Sequence, residues 1–387
     1  QWELLVNGEA VKSGIITDLK VAPQQTTNVQ LGYTLDGICN CKEVLLNLSF
    51  RLKNAETLLP AGYEVAKQQL SVRDYKAPKE LLTKSVAAND AVPALVVKDN
   101  DQSYLIVKGG RFQIDFKRQD GFVSLYDVNG MSILNKGAQL KPNFWRAPTD
   151  NDMGAGLQHK YGVWKNPEMK LTSLEHKTEG DNVVVTAKYD IPSVSAKLDL
   201  TYRIDKTGAM EVTQSMTADK SAQVPNMFRF GMRAELNKSL ANIQYYGRGP
   251  IENYVDRNNC TFIGKYSQTV DEQFYPYIRP QENGSKTDIR WWNQVNKAGN
   301  GIQLVSDAPF TASALHYTIE SLDDGLNKDQ RHSELVPPTD YVNLCVDKVQ
   351  MGLGCVTSWG TLPLDKYLVP YQDYSFKFVI KPVQHKF

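Results

Sequence analysis

The sequence is poor in the residues that most often announce chemistry. It has 5 cysteines and 5 histidines in 387 residues. Cys39, Cys41, Cys260, Cys345 and Cys355 form no paired CxxC units, which argues against a disulfide framework and a structural zinc site. Cys39-Asn40-Cys41 is too close for an ordinary ligand pair and is read as incidental. His159, His176, His316, His332 and His385 show no HExxH or other metal spacing. No sign of charge dominates, with 44 Lys and Arg against 43 Asp and Glu. That balance argues against nucleic acid or an anionic membrane surface as partner. No apolar run approaches the roughly 20 residues that cross a bilayer. A G-x-S-x-G elbow is absent, so a serine hydrolase of that type is unsupported. The chain also lacks an initiator Met and a signal-like start. It is read as a piece of a larger protein, with the compartment, cytoplasmic or periplasmic, left undecided.

What is there is mostly strand. Val44, Leu46, Leu48, Phe50 and Leu52 alternate with more polar neighbours, the pattern of a half-buried strand. Asn7-Gly8 suits a tight hairpin, and further short strands are expected near Ile15–Val21, Asn28–Tyr33 and Tyr63–Val72. Residues 1–75 are therefore read as a small sandwich of immunoglobulin size. Pro78, Pro93 and an Ala-Ala-Asn-Asp run mark residues 76–101 as a linker. From residue 102 to 387 strands return. Gly109-Gly110, Asp120-Gly121 and Asn129-Gly130 punctuate a meander, Gln158–Asn166 fits a short helix, and Val183–Tyr189 and Ala196–Ile204 read as long strands. With no sustained helical period, the fold class is all-β, in one large unit after the sandwich.

Asn143 to Gly156, N-F-W-R-A-P-T-D-N-D-M-G-A-G, is the densest stretch. Its aromatics beside acidic and amide side chains suit a sugar site, where hydroxyls need oriented hydrogen bonds and sugar faces need flat apolar surfaces. An ordered surface loop held by its own side chains is the alternative. Arg248, Glu252, Asp256 and Arg257 fit a buried or half-buried ion network. Gln273–Trp292 is aromatic enough for a domain interface or a carbohydrate-facing surface. In Met351–Gly360, Trp359 is either core or an exposed stacking platform.

Together, F-W-R-A-P-T-D-N-D-M-G (144–154), Y-G-R-G-P-I-E-N-Y-V-D-R (246–257), Y-P-Y-I-R-P-Q-E-N-G (275–284) and M-G-L-G-x-x-x-S-W (351–359) resemble the C-terminal portion of large bacterial β-galactosidases of glycoside hydrolase family 2. Residues 1–72 resemble the preceding sandwich domain. The resemblance implies an immunoglobulin-like sandwich followed by an antiparallel super-sandwich of galactose mutarotase-like type. It also implies retaining hydrolysis of terminal β-D-galactosyl residues by two glutamates roughly 5 Å apart. Those glutamates lie in a barrel absent from this sequence, so no catalytic residue is assigned and the chain is expected to be inactive alone. By the same resemblance Trp359 offers a sugar-stacking face, and a mobile loop beginning at Gly154 closes over galactose. Asn151, Asp152, Gly154, Ala155 and Trp359 are the substrate-binding candidates. Two departures stand out: Val356-Thr357 replaces an acidic pair, and Ala-Gly-Leu-Gln after Gly154 lacks a Ser-Glu.

No metal or other cofactor is carried over, since the magnesium and sodium ligands of the family lie in its other domains. The implied partners are a galactoside, the remaining domains of the same enzyme, and further copies in a homo-oligomer. Two rival readings are an autonomous carbohydrate-binding or scaffolding module and a mutarotase-like isomerase with His316 or His332 as base.

Overall fold

A computed structural model describes residues 1–82, 93–329, 331–354, 356–357 and 360–384. It divides into two compact units, 1–77 with 262–265, and 78–261 with 266–387. In the first, β1 (Trp2–Val6), β2 (Glu9–Gly14), β3 (Val44–Arg51) and β4 (Glu64–Arg73) form one antiparallel sheet in the order β2-β1-β3-β4. Asn7 and Gly8 both take positive φ, as the tight hairpin requires.

The expected strands at Ile15–Val21 and Asn28–Tyr33 do not form. That polar, proline-interrupted stretch instead lays Leu31, Tyr33, Leu35 and Ile38 over Trp2, Leu4, Val44 and Leu46. The layer over the sheet is therefore supplied by side chains without a hydrogen-bonded ladder. Cys39 and Cys41 are disulfide-bonded to each other, which corrects their reading as incidental. A turn between them brings the Cys41 amide 3.2 Å from the Cys39 sulfur.

In the second unit β5 (Val96–Lys98), β6 (Tyr104–Lys108), β7 (Phe112–Lys117), β8 (Val123–Val128) and β9 (Met131–Ser132) make the expected meander. After β10 (Lys141–Asn143) come the short helices α1 (Asp150–Gly154) and α2 (Leu157–Lys160) and a single helical turn at Gly162–Trp164. The following strands are β11 (Lys170–Glu179), β12 (Asn182–Ile191), β13 (Ala196–Ile204), β14 (Met210–Ala218), β15 (Arg229–Leu236), β16 (Asn242–Gly249) and β17 (Phe262–Thr269). The last are β18 (Lys286–Val295), β19 (Gly301–Leu315), β20 (Val342–Gln350) and β21 (Tyr374–Val383), with helix α3 (Ile319–Leu322) between β19 and β20. One antiparallel sheet runs β10-β15-β20-β19-β21-β14-β13-β12-β11, and β18 joins it through β19 and pairs with β16.

Alternation explains these pairings. In β13, Ala196, Leu198, Leu200, Tyr202 and Ile204 are buried while their neighbours face outward. The meander lies on that buried face. Phe116 meets Tyr202 edge-on at 5.0 Å, and Phe122 stacks on Tyr189 at 5.4 Å. Hydroxyls seal the contact, Tyr126 donating to Gly208 O at 2.6 Å and Tyr189 to Asp120 O at 2.8 Å. Meander and sheet thus share one hydrophobic core. The sequence is all-β in structure, as its alternation indicates.

Candidate functional site

The stretch from Asn143 to Gly156 begins in the core. Phe144 and Trp145 are buried, Trp145 edge-on to Phe228 at 4.8 Å and Phe144 against Trp164 and Phe230. This corrects their composition-based reading as sugar platforms, because both rings point inward. Trp145 keeps its indole N–H satisfied by Asp323 at 2.8 Å.

Arg146 follows, fully buried, with its guanidinium 4.8 Å over the Phe228 ring. It forks onto Asp152 (Nε to Oδ2 2.9 Å, Nη2 to Oδ1 2.8 Å) and donates to Met351 O at 2.6 Å and Gly352 O at 3.0 Å. Burial works against the Arg146 charge, but the Asp152 carboxylate more than restores it and its pKa stands above the usual value. A buried pair is tolerated when its remaining donors are spent in this way.

The same Asp152 starts the helix. Thr149 is the N-cap of α1, its hydroxyl accepting from Asp152 N at 3.2 Å, while Asp152 Oδ2 accepts from Thr149 N at 2.9 Å. That reciprocal cap holds a helix too short to persist by propensity. Asp152 is thus an anchor with both oxygens engaged. Asn151 donates to Leu353 O at 3.2 Å, and Asp150, outside, meets Arg279 and Lys328 at 3.2 Å each. Gly154 is exposed at the end of the helix, and Gly156 takes φ +71° to start α2.

A second loop comes to this turn from far along the sequence. Asp256 accepts from Leu353 N at 3.0 Å and Gly354 N at 2.9 Å. Its Oδ2 stands 2.5 Å from where a Cβ of residue 352 would sit, so only glycine fits there. Gly360 carries φ +86°, and a Cβ on it would lie 2.3 Å from the Gly154 carbonyl carbon. Gly360 therefore rests on the Gly154–Ala155 peptide. Trp359 itself lies outside the described residues, but its neighbour Gly360 touches the other candidate loop. Asn151, Asp152, Gly154 and Ala155 share one turn.

A cleft of about 140 Å3 opens beside Thr149, Asp150 and Asn151, lined also by Arg257, Tyr277, Gln281, Glu282 and Leu353. Arg257 pairs with Glu252 at 2.6 Å, and the Tyr277 hydroxyl also donates to Glu252. Burial and that bond push the Tyr277 pKa up to about 12, so it remains a hydrogen-bond donor. Arg257, Tyr277 and Asp256 were read from sequence as an ion network or an aromatic surface, and their place beside Asn151 was missed. The signal available was that their stretches recur beside the others in the family pattern. The expected single network does not form, since Arg248 pairs with Asp288 at 2.5 Å and Asp256 spends itself on backbone amides. The aromatic stretch also divides: Trp292 is buried against Tyr245, whereas Tyr275 and Ile278 are exposed.

Below the cleft Glu282 pairs with Arg229 at 2.8 Å, and Arg229 with Asp347 at 3.3 Å. Burial pushes the Asp347 pKa up to about 7 against the pull of Arg229. His316 Nδ1 sits 2.9 Å from Tyr341 O, and neither His316 nor His332 lines the cleft. Among the described residues no three His, Cys, Asp or Glu gather as a metal site would require. No helix there is long and apolar enough to cross a membrane.

A family model described as β-galactosidase small chain matches residues 108–380, and one described as β-galactosidase, domain 4, matches residues 1–73. A protein named β-galactosidase from Priestia megaterium is 32% identical over 389 residues, covering 99% of this chain and 36% of that protein. A β-galactosidase of Streptococcus thermophilus is 29% identical over 346 residues, 88% of this chain and 32% of its own length. One of Lactobacillus delbrueckii subsp. bulgaricus is 30% identical over 293 residues, 74% and 28%. The chain thus spans about a third of the length of the curated relatives it matches. Among solved structures, a putative aldose 1-epimerase of Escherichia coli K12 aligns with a TM-score of 0.40 and 11% identity, covering 70% of this chain and 96% of that one. With most of its length matched by the first of these models, the chain belongs to the β-galactosidase small chain family.

Proposed function

We propose that this chain completes, rather than carries, the catalytic centre of a β-galactosidase. The reaction is retaining hydrolysis of terminal non-reducing β-D-galactosyl residues. Its nucleophile and acid/base are two glutamates roughly 5–5.5 Å apart in another part of the enzyme. The observation that supports this reading is the seat of Gly360 on the Gly154–Ala155 peptide. It holds the residue after Trp359 against the loop assigned to closing over galactose. Asp152 and Asp256 then act as positioning residues: one caps the helix that carries Gly154, the other fixes the amides of the loop that leads to Trp359. Trp359 supplies a flat apolar face, and Asn151 and the exposed Gly154 backbone supply polar contacts at the rim.

The purified 387-residue chain, incubated with a chromogenic β-galactoside, is expected to release no chromophore, and measurable turnover would refute the assignment. In the full-length enzyme Trp359→Ala should weaken galactoside binding by about 1–3 kcal/mol, the scale of a lost aromatic anchor. Unchanged kinetic constants would place Trp359 outside the site.

A further inference from the structure

A second cavity, of about 120 Å3, lies in the large unit between the strand ends of β10, β15, β19 and β20 and helix α3. One water needs about 10–15 Å3 of such space, so the cavity has room for on the order of ten non-hydrogen atoms. Its inner wall is buried and polar, with Glu282, Asn283, Ser313 and Cys345 beside Ala147. Lys141, Arg233, Glu235 and Asn343, half-buried, form its outer wall.

Three features define what would fit. Asn283 is 2% exposed and donates through Nδ2 to Gln281 O at 3.2 Å, but its Oδ1 is buried and accepts no hydrogen bond from any described residue. A buried amide oxygen left this way is destabilising, and a donor entering the cavity would recover the loss. Second, Tyr317 lines the cavity with its ring braced on Phe274 at 4.0 Å, next to Leu315 and Leu322. That is a rigid apolar face opposite polar groups, the arrangement that suits a ligand with an apolar face and a hydroxylated edge. Third, charge balances. Lys141 and Arg233 are matched by Glu235 and Glu282, Arg233 is further held by Glu320 at 2.6 Å, and Glu282 by Arg229. Burial and the neighbouring Arg233 pull the Lys141 pKa down, which reduces its demand for an anion.

We propose that this cavity binds a neutral, ring-sized polyol, such as a monosaccharide, with Asn283 Oδ1 accepting from a hydroxyl and the Tyr317 side packing on the ring face. The proposal does not depend on the reading of the loop site. It gives the large unit a sugar-sized pocket built wholly from its own residues.

Saturation-transfer NMR on the 387-residue chain tests it, with D-galactose as the probe and D-glucuronate and inorganic phosphate as anionic counterparts. The expected result is a saturable galactose signal whose apparent affinity falls about tenfold or more in Asn283→Leu and in Ser313→Val, the first removing the acceptor and the second a polar contact. Trp359→Ala serves to separate this cavity from the proposed loop site. Should one cavity variant fail to fold, the other decides. The proposal is overturned by the absence of a saturable signal, by tighter binding of glucuronate or phosphate, or by galactose binding that survives in a folded cavity variant. Loss of binding in Trp359→Ala alone would locate the sugar at the loops, overturning the cavity proposal while sparing the loop reading.

Discussion

Asp347 is fully buried beside Arg229, with Glu282 on that arginine's other side. Its folded pKa of about 7 lies above the ordinary carboxylate value of 3.8. Between those values the folded state holds a proton that the unfolded chain has lost. This group's contribution is therefore favourable at low pH and is lost as pH rises toward about 7. Asp347→Asn keeps the shape without the titration. Relative to wild type, the variant should gain stability as pH rises from about 4 to 7 and level off above it, a trend that urea unfolding across that range would record. A constant difference would mean that Asp347 is ionised throughout. Arg146 and Asp152 make the complementary case: in the sequence they look like loop polarity six residues apart, and only folding shows them as one buried fork.

At the scale of elements, Gly360 sits against the end of the helix Asp150–Gly154 in a contact that a single methyl would break. Gly360→Ala adds a Cβ 2.3 Å from the Gly154 carbonyl carbon at a residue with φ +86°, so residue 360 must move off the Gly154–Ala155 peptide. In the full-length enzyme this should raise KM for a galactoside several-fold while lowering the melting temperature by only a few degrees, read by steady-state kinetics and calorimetry. An unchanged KM would show that the contact does not shape the site. Elements with clean alternation were legible in the sequence. Ala196–Ile204 forms a strand with those bounds, and Asn129-Gly130 turns the meander as expected. Ile15–Val21 was not, because its apolar residues stay exposed and pair with no strand, while Leu31, Tyr33, Leu35 and Ile38 further on cover the sheet. Phe144 and Trp145 were also opaque: outside a regular strand no period reveals which way a ring points. The candidate residues around Asn151 were named through whole motifs, and the cavity around Asn283 escaped because its walls come from stretches far apart in the sequence.

At the scale of the molecule, the large unit is a sheet whose order in space departs from its order in sequence. β21 lies between β14 and β19, pairing Met210 with Ile380 and Leu304 with the same residue. A chain ending just before Tyr374 would leave both neighbours with unpaired edges and remove Phe376, Phe378 and Ile380 from the core. Such a truncation is expected to show no cooperative thermal transition for the large unit, and retention of the wild-type transition would contradict the central place of β21.

The position of β21 also sets a timetable for synthesis. Met210–Ala218 leaves the ribosome more than 150 residues before its partner Tyr374–Val383, at least several seconds at ordinary elongation rates. Throughout that interval β14 offers a bare apolar edge to any other nascent strand. The cell must therefore keep a half-made sheet apart from its neighbours until Tyr374–Val383 arrives, and slowed translation between β19 and β21 would lengthen the period in which this protein can aggregate.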